Sequence, residues 1–315
     1  MSKKIIAVAG ATGAQGGGLA RAILADPDGP FAVRALTRTP GSEKAQALAA
    51  AGAEVVQANV DDVDAMTRAY EGAYGAYCVT FFWEHLSAEH EKAQARNQAI
   101  AAKNAGLRHV IWSTLEDTRL SIPLDDDRMP TLQGKYKVPH FDAKGESDVY
   151  FTERSLPVTI FYTSFYWENF IVFGMGPKPG PDGKLTLTFP IGDKQLPSVA
   201  AEDIGRCALS VYERGAEFIG KSVGVAGEHM TGARMAAEMT EAFGRQVAYN
   251  AMTPDAYRGL KFPGAEELGN MFQFNAEFQN LCCNNRPLDL SRQLNPKLQT
   301  FAQWLAAHKD RIPLS

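Results

Sequence analysis

Between Lys4 and Thr114, short apolar runs alternate with longer segments of helical periodicity, and that alternation leaves few folds open. KIIAVAG, FAVRALTR, AEVVQAN, AYGAYCVTFF and RHVIWST read as strands. QGGGLARAILA, SEKAQALAAAG, DVDAMTRAYEG and SAEHEKAQARNQAIAAKNAG read as the helices between them. Strands joined by helical crossovers lie parallel, and the right-handedness of such crossovers makes the sheet open and doubly wound.

The first strand runs into AVAGATGAQG, with Gly10, Gly13 and Gly16 at the strand-to-helix join. The spacing is one residue wider than the common dinucleotide fingerprint, but the physical demands are the same. Gly10 permits the tight turn, Gly13 lets backbone approach a pyrophosphate, and Gly16 lets helix meet strand closely. Together with Thr12, Ala14 and Gln15, these glycines form the candidate phosphate cradle at a helix N-terminus. The expected fold is therefore α/β, a Rossmann-type doubly wound parallel sheet with a smaller, mostly helical C-terminal lobe. The expected domains are 1–155, with strand and helix contributions from about 156–170 and 200–215, and 171–315 as the substrate or partner lobe.

Strand two decides which dinucleotide is held. An NAD site places an acid at its carboxyl end to accept from the ribose hydroxyls. Here the strand ends Thr37-Arg38-Thr39, with no acid before Glu43. A guanidinium fork suits a 2′-phosphate, so the expected cofactor is NADP(H). Asn59 and Asp61 follow strand three, where the adenine edge lies in such folds, and Thr80, Phe81 and Phe82 follow strand four.

From Asp117 to Pro139 the pattern breaks into a polar stretch with an acidic DDD run, read either as a lid or mobile excursion or as a solvated insertion. HFDAKGESDVYFTERS then reads as a helix and PVTIFYTSFYWEN as a strand entering an aromatic turn.

Bulk properties exclude several functions. With a net charge of −4 and no helix-turn-helix signature, the chain is not expected to bind nucleic acid directly. Cys78, Cys207, Cys282 and Cys283 show no metal spacing and fit a reducing compartment, so no metal is expected. Neither a signal peptide nor a bilayer span is apparent, which gives an expected cytoplasmic location with nuclear access open.

GATGAQGG, LTR, AGAEVVQ, VTFFWE, HFDAKGE, the EN of YWEN, PDGK, MTPDAYRGLKFPGAEELGNMFQF and LNPK…QWLAAHK together resemble the NmrA-like family, an atypical branch of the short-chain dehydrogenase/reductase superfamily. The likeness is strongest to a vertebrate branch proposed to sense NADPH, and it runs from the first strand to the last helix. It implies an NADP(H)-binding redox sensor or regulator acting through unidentified protein partners, with an oligomer compatible. The alternative is an NADPH-dependent reductase of a small quinone, enone or carbonyl substrate. The resemblance also brings Tyr166, Trp167, Glu168 and Asn169 toward the cofactor. Ordinary superfamily enzymes use Tyr-x-x-x-Lys and a serine after strand five. Here Ser113 and Lys144 match, while His140 stands where tyrosine should be. These three are the candidate catalytic residues, and Lys144 doubles as a cofactor ligand. Two departures are evident: a longer 117–139 segment, and no further basic residue beside Arg38, which implies a weaker grip on the 2′-phosphate.

Overall fold

The computed structural model describes residues 2–180 and 183–314. Met1, Pro181, Asp182 and Ser315, and with them part of the PDGK match, lie outside the described residues. The chain divides into two compact units. The first comprises residues 1–117, 140–163 and 202–223, and the second 118–139, 164–201 and 224–315.

The first unit carries β1 (Lys4–Val8), α1 (Ala14–Leu24), β2 (Phe31–Thr37), α2 (Glu43–Ala50), β3 (Glu54–Gln57) and α3 (Val63–Tyr70). It continues through β4 (Gly75–Cys78), α4 (Ala88–Asn104), β5 (His109–Thr114), α5 (Pro139–Thr152) and β6 (Val158–Tyr162). The strand order β3-β2-β1-β4-β5-β6 is parallel at every pair. The order reverses between β1 and β4, and ligands of such sheets bind outside the carboxyl ends at that point.

Burial explains the strands. Ile6, Ala7 and Val8 are inaccessible, as are Ala76, Tyr77 and Cys78 and the Val110–Trp112 run. Central strands covered on both faces need continuous apolar runs rather than alternation. Ser87 caps α4 by accepting from the His90 amide, and Asp62 caps α3 through the amides of Asp64 and Ala65.

The second unit holds β7 (Phe165–Tyr166), α6 (Asn169–Val172), β8 (Lys178–Pro179), β9 (Leu185–Thr188) and β10 (Gln195–Val199). The chain then returns to the first unit with α7 (Ala201–Arg214), whose Tyr212 ring packs on Phe31 and His109, and β11 (Ser222–Gly224), which joins the sheet beside β6. The second unit resumes with β12 (Glu228–Thr231), α8 (Gly232–Phe243), β13 (Val247–Asn250), α9 (Pro254–Arg258), α10 (Ala265–Glu277), α11 (Gln279–Asn284), α12 (Leu288–Leu294) and α13 (Phe301–His308). Alongside its helices this unit has two three-stranded sheets, β12-β10-β7 and β13-β9-β8. Their strands span two to five residues, too few for periodicity to announce them.

The 117–139 segment is tied down at several points, although Asp125 and Asp127 of its acidic run are exposed. Ile122, Met129, Tyr136 and Val138 are buried, and Lys137 donates to the carbonyls of Asp126 (2.8 Å) and Met129 (2.7 Å). Asn270 on α10 donates to Pro130 O and Lys137 O at 2.9 and 2.5 Å, and Gln273 donates to Arg128 O at 2.8 Å. Buried loop carbonyls need such partners.

Candidate functional site

The glycine loop leaves β1 at the sheet's reversal point. Gly10 sits at φ +61°, a region L side chains avoid, and accepts from the Gly13 amide at 2.8 Å. A Cβ on Gly16 would lie 2.5 Å from Ala9 O and 2.6 Å from Gly10 O, so any other residue would push α1 off the strand end. Thr12 lies in the turn, Gly13 is the N-cap of α1 with no side-chain cap bond, and Ala14 opens the helix. With no capping side chain and no acid in its first turn, this helix N-terminus suits an anion.

Gln15 binds the loop to two neighbouring strands. Its Oε1 accepts from Tyr77 of β4 at 2.5 Å and from Ser113 of β5 at 2.7 Å. The candidate catalytic serine is thus turned toward the cradle, and it is buried.

Beside the loop, Arg38 pairs with Glu84 at 2.5 Å. Glu84 ends a short 3-10 turn, Phe82–Glu84, where the sequence had suggested that strand four continued. Thr37 Oγ1 accepts from the Thr39 amide, and the Arg38 carbonyl accepts from Gln57.

After β3, Asn59 Oδ1 accepts from the Asp61 amide at 3.2 Å. Asp61 Oδ1 lies 2.7 Å from His90 Nε2 and 3.0 Å from Gln94 Nε2. Burial pushes the Asp61 carboxyl up, but the bonds from His90, Gln94 and Asn59 outweigh it and hold the group below its ordinary range.

The chemistry-bearing centre is a buried polar cluster on α4, α5 and the end of β4. Lys144 Nζ donates to Thr80 Oγ1 at 2.6 Å and lies 3.0 Å from Glu91 Oε1, while Thr80 Oγ1 donates to Glu91 Oε1 at 2.5 Å. Glu91 is 0% exposed. The Lys144 ammonium also lies over the Trp112 ring, 5.2 Å from its centroid. His85 Nε2 faces the other carboxylate oxygen at 3.5 Å, an ion-pair separation too long for a good hydrogen bond. His85 Nδ1 accepts from the Ser87 amide, so a neutral ring carries its proton on Nε2, toward Glu91. Burial holds the His85 pKa below its usual range, against the pull of Glu91.

His140 is packed among rings, with centroids of Phe141, Trp83 and Phe82 at 4.8, 5.1 and 5.7 Å. Phe82 is buried and Phe81 exposed. One turn beyond Lys144, Asp148 Oδ1 accepts from Trp112 Nε1 (2.8 Å) and Thr114 Oγ1 (2.7 Å). Burial pushes its carboxyl up to about 7, with the two bonds and Lys144 pulling the other way.

The structure therefore brings together Gln15 with Ser113, Thr80 with Lys144, Phe82 with His140, and Asn59 with Asp61. Tyr166, Trp167, Glu168 and Asn169 lie in the second unit. There Trp167 is buried against Phe301 and Trp304, and Glu168 accepts from the Ala201 amide and from Trp304 Nε1. Sequence reasoning missed Glu91, His85, Tyr77, Glu84 and Asp148. Asp148 alone left a signal, four residues beyond Lys144 on the same helix face.

A family model for NmrA-like proteins matches residues 2–305. The chain belongs to the NmrA-like family. Among relatives, the NmrA-like family domain-containing oxidoreductase FrzB of Cladobotryum sp is 28% identical over 293 residues, covering 86% of this chain and 83% of the relative. Among solved structures, NmrA, described as a negative transcriptional regulator, in complex with NADP superposes with a TM-score of 0.78 at 24% identity, over 97% of this chain and 95% of that one. The Escherichia coli NADPH-dependent quinone oxidoreductase QOR2, complexed with NADPH, gives 0.72 at 23% identity over 96% and 99%. At these identities the two structures speak to the NmrA-like fold alone. No helix among the described residues is long and apolar enough to cross a membrane.

Proposed function

We propose that this NmrA-like chain binds NADP(H) and acts as a redox sensor or regulator through protein partners. The residues fit the cofactor: a glycine cradle that admits no Cβ at Gly16, an uncapped helix N-terminus, and Arg38 beside it in place of an acid. Gly10–Gly16 would hold the pyrophosphate and Arg38 the 2′-phosphate, while Lys144, oriented by Thr80 and Glu91, would present a cation on the nicotinamide side. Bound NADPH would supply a hydride equivalent to any acceptor.

One observation carries the regulatory reading. The side chain four residues before Lys144 is an imidazole packed among Phe82, Trp83 and Phe141, and Lys144 is committed to a buried carboxylate rather than to a phenol. In that arrangement the position that carries the phenol in ordinary superfamily enzymes offers an imidazole of different reach as the proton donor. Sensing requires that the NADPH-bound and NADP+-bound forms differ in affinity for a partner.

The second reading, reduction of a quinone, enone or carbonyl, is favoured by relatives named as oxidoreductases and by the retention of Ser113 and Lys144. One experiment separates the two. NADPH binding and oxidation are followed by nicotinamide absorbance against a panel of quinones, enones and aldehydes, beside a Lys144→Met/Glu91→Gln variant that leaves no buried charge unpaired. Hydrogen exchange is read with NADPH and with NADP+. Binding without turnover, with protection around Thr80–Glu84 that differs between the two redox states, is the expected result. Turnover that the variant loses while still binding NADPH would make the protein a reductase.

A further inference from the structure

We propose that Glu84 is a specificity-determining residue, an internal anion that occupies Arg38 and must be displaced by a 2′-phosphate before NADP(H) is preferred over NAD(H). The proposal rests on the dinucleotide reading above and deepens it. In the sheet, β2 and β4 flank β1 on opposite sides. Arg38 follows β2 and Glu84 follows β4, so their ion pair at 2.5 Å spans the carboxyl end of β1, where the glycine loop leaves. A carboxylate and a phosphate offer a guanidinium the same kind of acceptor, and a fork engaged by one is not available to the other. Among the described residues Glu84 is the only ion-pair partner of Arg38, and no second base stands at Thr39–Ser42 to take its place. Whatever holds Arg38 therefore governs how much of its charge reaches the nucleotide.

The pair is poised to open. Its side chains are 59% and 43% exposed, a setting in which an ion pair is weak and readily exchanged for a more highly charged partner. Glu84 acts twice in the same sense: it competes for the guanidinium, and its own charge repels a dianion arriving there. Neither effect touches NAD(H), which has no 2′-phosphate. The turn that carries Glu84 does not need the ion pair for its shape. The amides of Glu84, His85 and Leu86 donate to the carbonyls of Phe81, Phe82 and Phe82, and Phe82 is buried. A neutral isostere at this position changes charge without unmaking the turn.

The test is calorimetric titration of NADP+ and NAD+ into wild type, Glu84→Gln and Arg38→Ala at two salt concentrations. Glu84→Gln is expected to tighten NADP+ by about two- to fivefold while NAD+ affinity is unchanged, with the gain shrinking as salt screens the charges. If Arg38→Ala abolishes the preference for NADP+ but Glu84→Gln leaves it unchanged, or tightens both nucleotides alike, the role of Glu84 is overturned and the dinucleotide reading stands. If Arg38→Ala also leaves the NADP+/NAD+ ratio untouched, the assignment of Arg38 fails and this proposal with it.

Discussion

Lys144 and Glu91 form an ion pair closed off from water, and such pairs are asymmetric. Replacing both charges by apolar groups is often tolerated, whereas removing one leaves the other buried without its counter-charge. Glu91→Ala is therefore expected to lower unfolding stability by about 3 kcal/mol, because Lys144 keeps Thr80 but loses its carboxylate. A Glu91→Leu/Lys144→Met double variant should recover most of that loss in denaturant titrations. Equal losses in single and double variants would mean that packing, not charge, sets the cost. At this scale the sequence was half legible. Lys144 was found because its spacing from position 140 matched a known pattern. Glu91 was not, since α4 is polar on nearly every face and nothing in AEHEKAQARNQ distinguishes the one glutamate that is turned inward.

At the scale of elements, α5 is fastened to β5 through Asp148, whose carboxylate accepts from both Trp112 and Thr114. Burial raises its folded-state pKa to about 7, well above the ordinary carboxylate value of about 4. As pH rises from 4 to 7 the unfolded chain releases this proton while the folded chain retains it. The contribution is thus fully present below about pH 4 and is lost as pH rises through 7. Wild type should lose about 4 kcal/mol on this account, at about 1.4 kcal/mol for each unit by which the carboxyl is raised. Asp148→Asn keeps the accepting Oδ1 and cannot ionise, so its stability between pH 4 and 8 should be flatter and should exceed wild type at pH 8. A wild-type slope preserved in the variant would assign the dependence to another group. The helices and strands around this pair could be read from sequence because each is long and strongly periodic. The Phe82–Glu84 turn could not. Its Val-Thr-Phe-Phe lead-in is strand-like in composition, yet the strand ends at Cys78, and His85 and Leu86 close the turn by donating back to Phe82.

Across the whole molecule, chain order and contact partition part company at residues 118–139. Composition marks that stretch as irregular, and nothing local reveals what holds it. Its anchors, Asn270 and Gln273, stand 133 to 145 residues away, a separation at which local pattern carries no information. Asn270 is fully buried and saturated: its amide donates to Pro130 O and Lys137 O, and its Oδ1 accepts from Arg258. Asn270→Ala removes a donor from two loop carbonyls, that of the buried Lys137 and that of the exposed Pro130, which costs about 2 kcal/mol. The loss should be local, because those carbonyls belong to one segment of the second unit. Exchange of the Ile122 and Tyr136 amides, which bond within 118–139, is expected to rise at least about tenfold, with the β1 and β4 amides unchanged. A uniform rise across both units would mean that Asn270 sustains global stability rather than this segment. An unchanged rate at Ile122 and Tyr136 would mean that Lys137, through its two carbonyl contacts, holds the segment by itself.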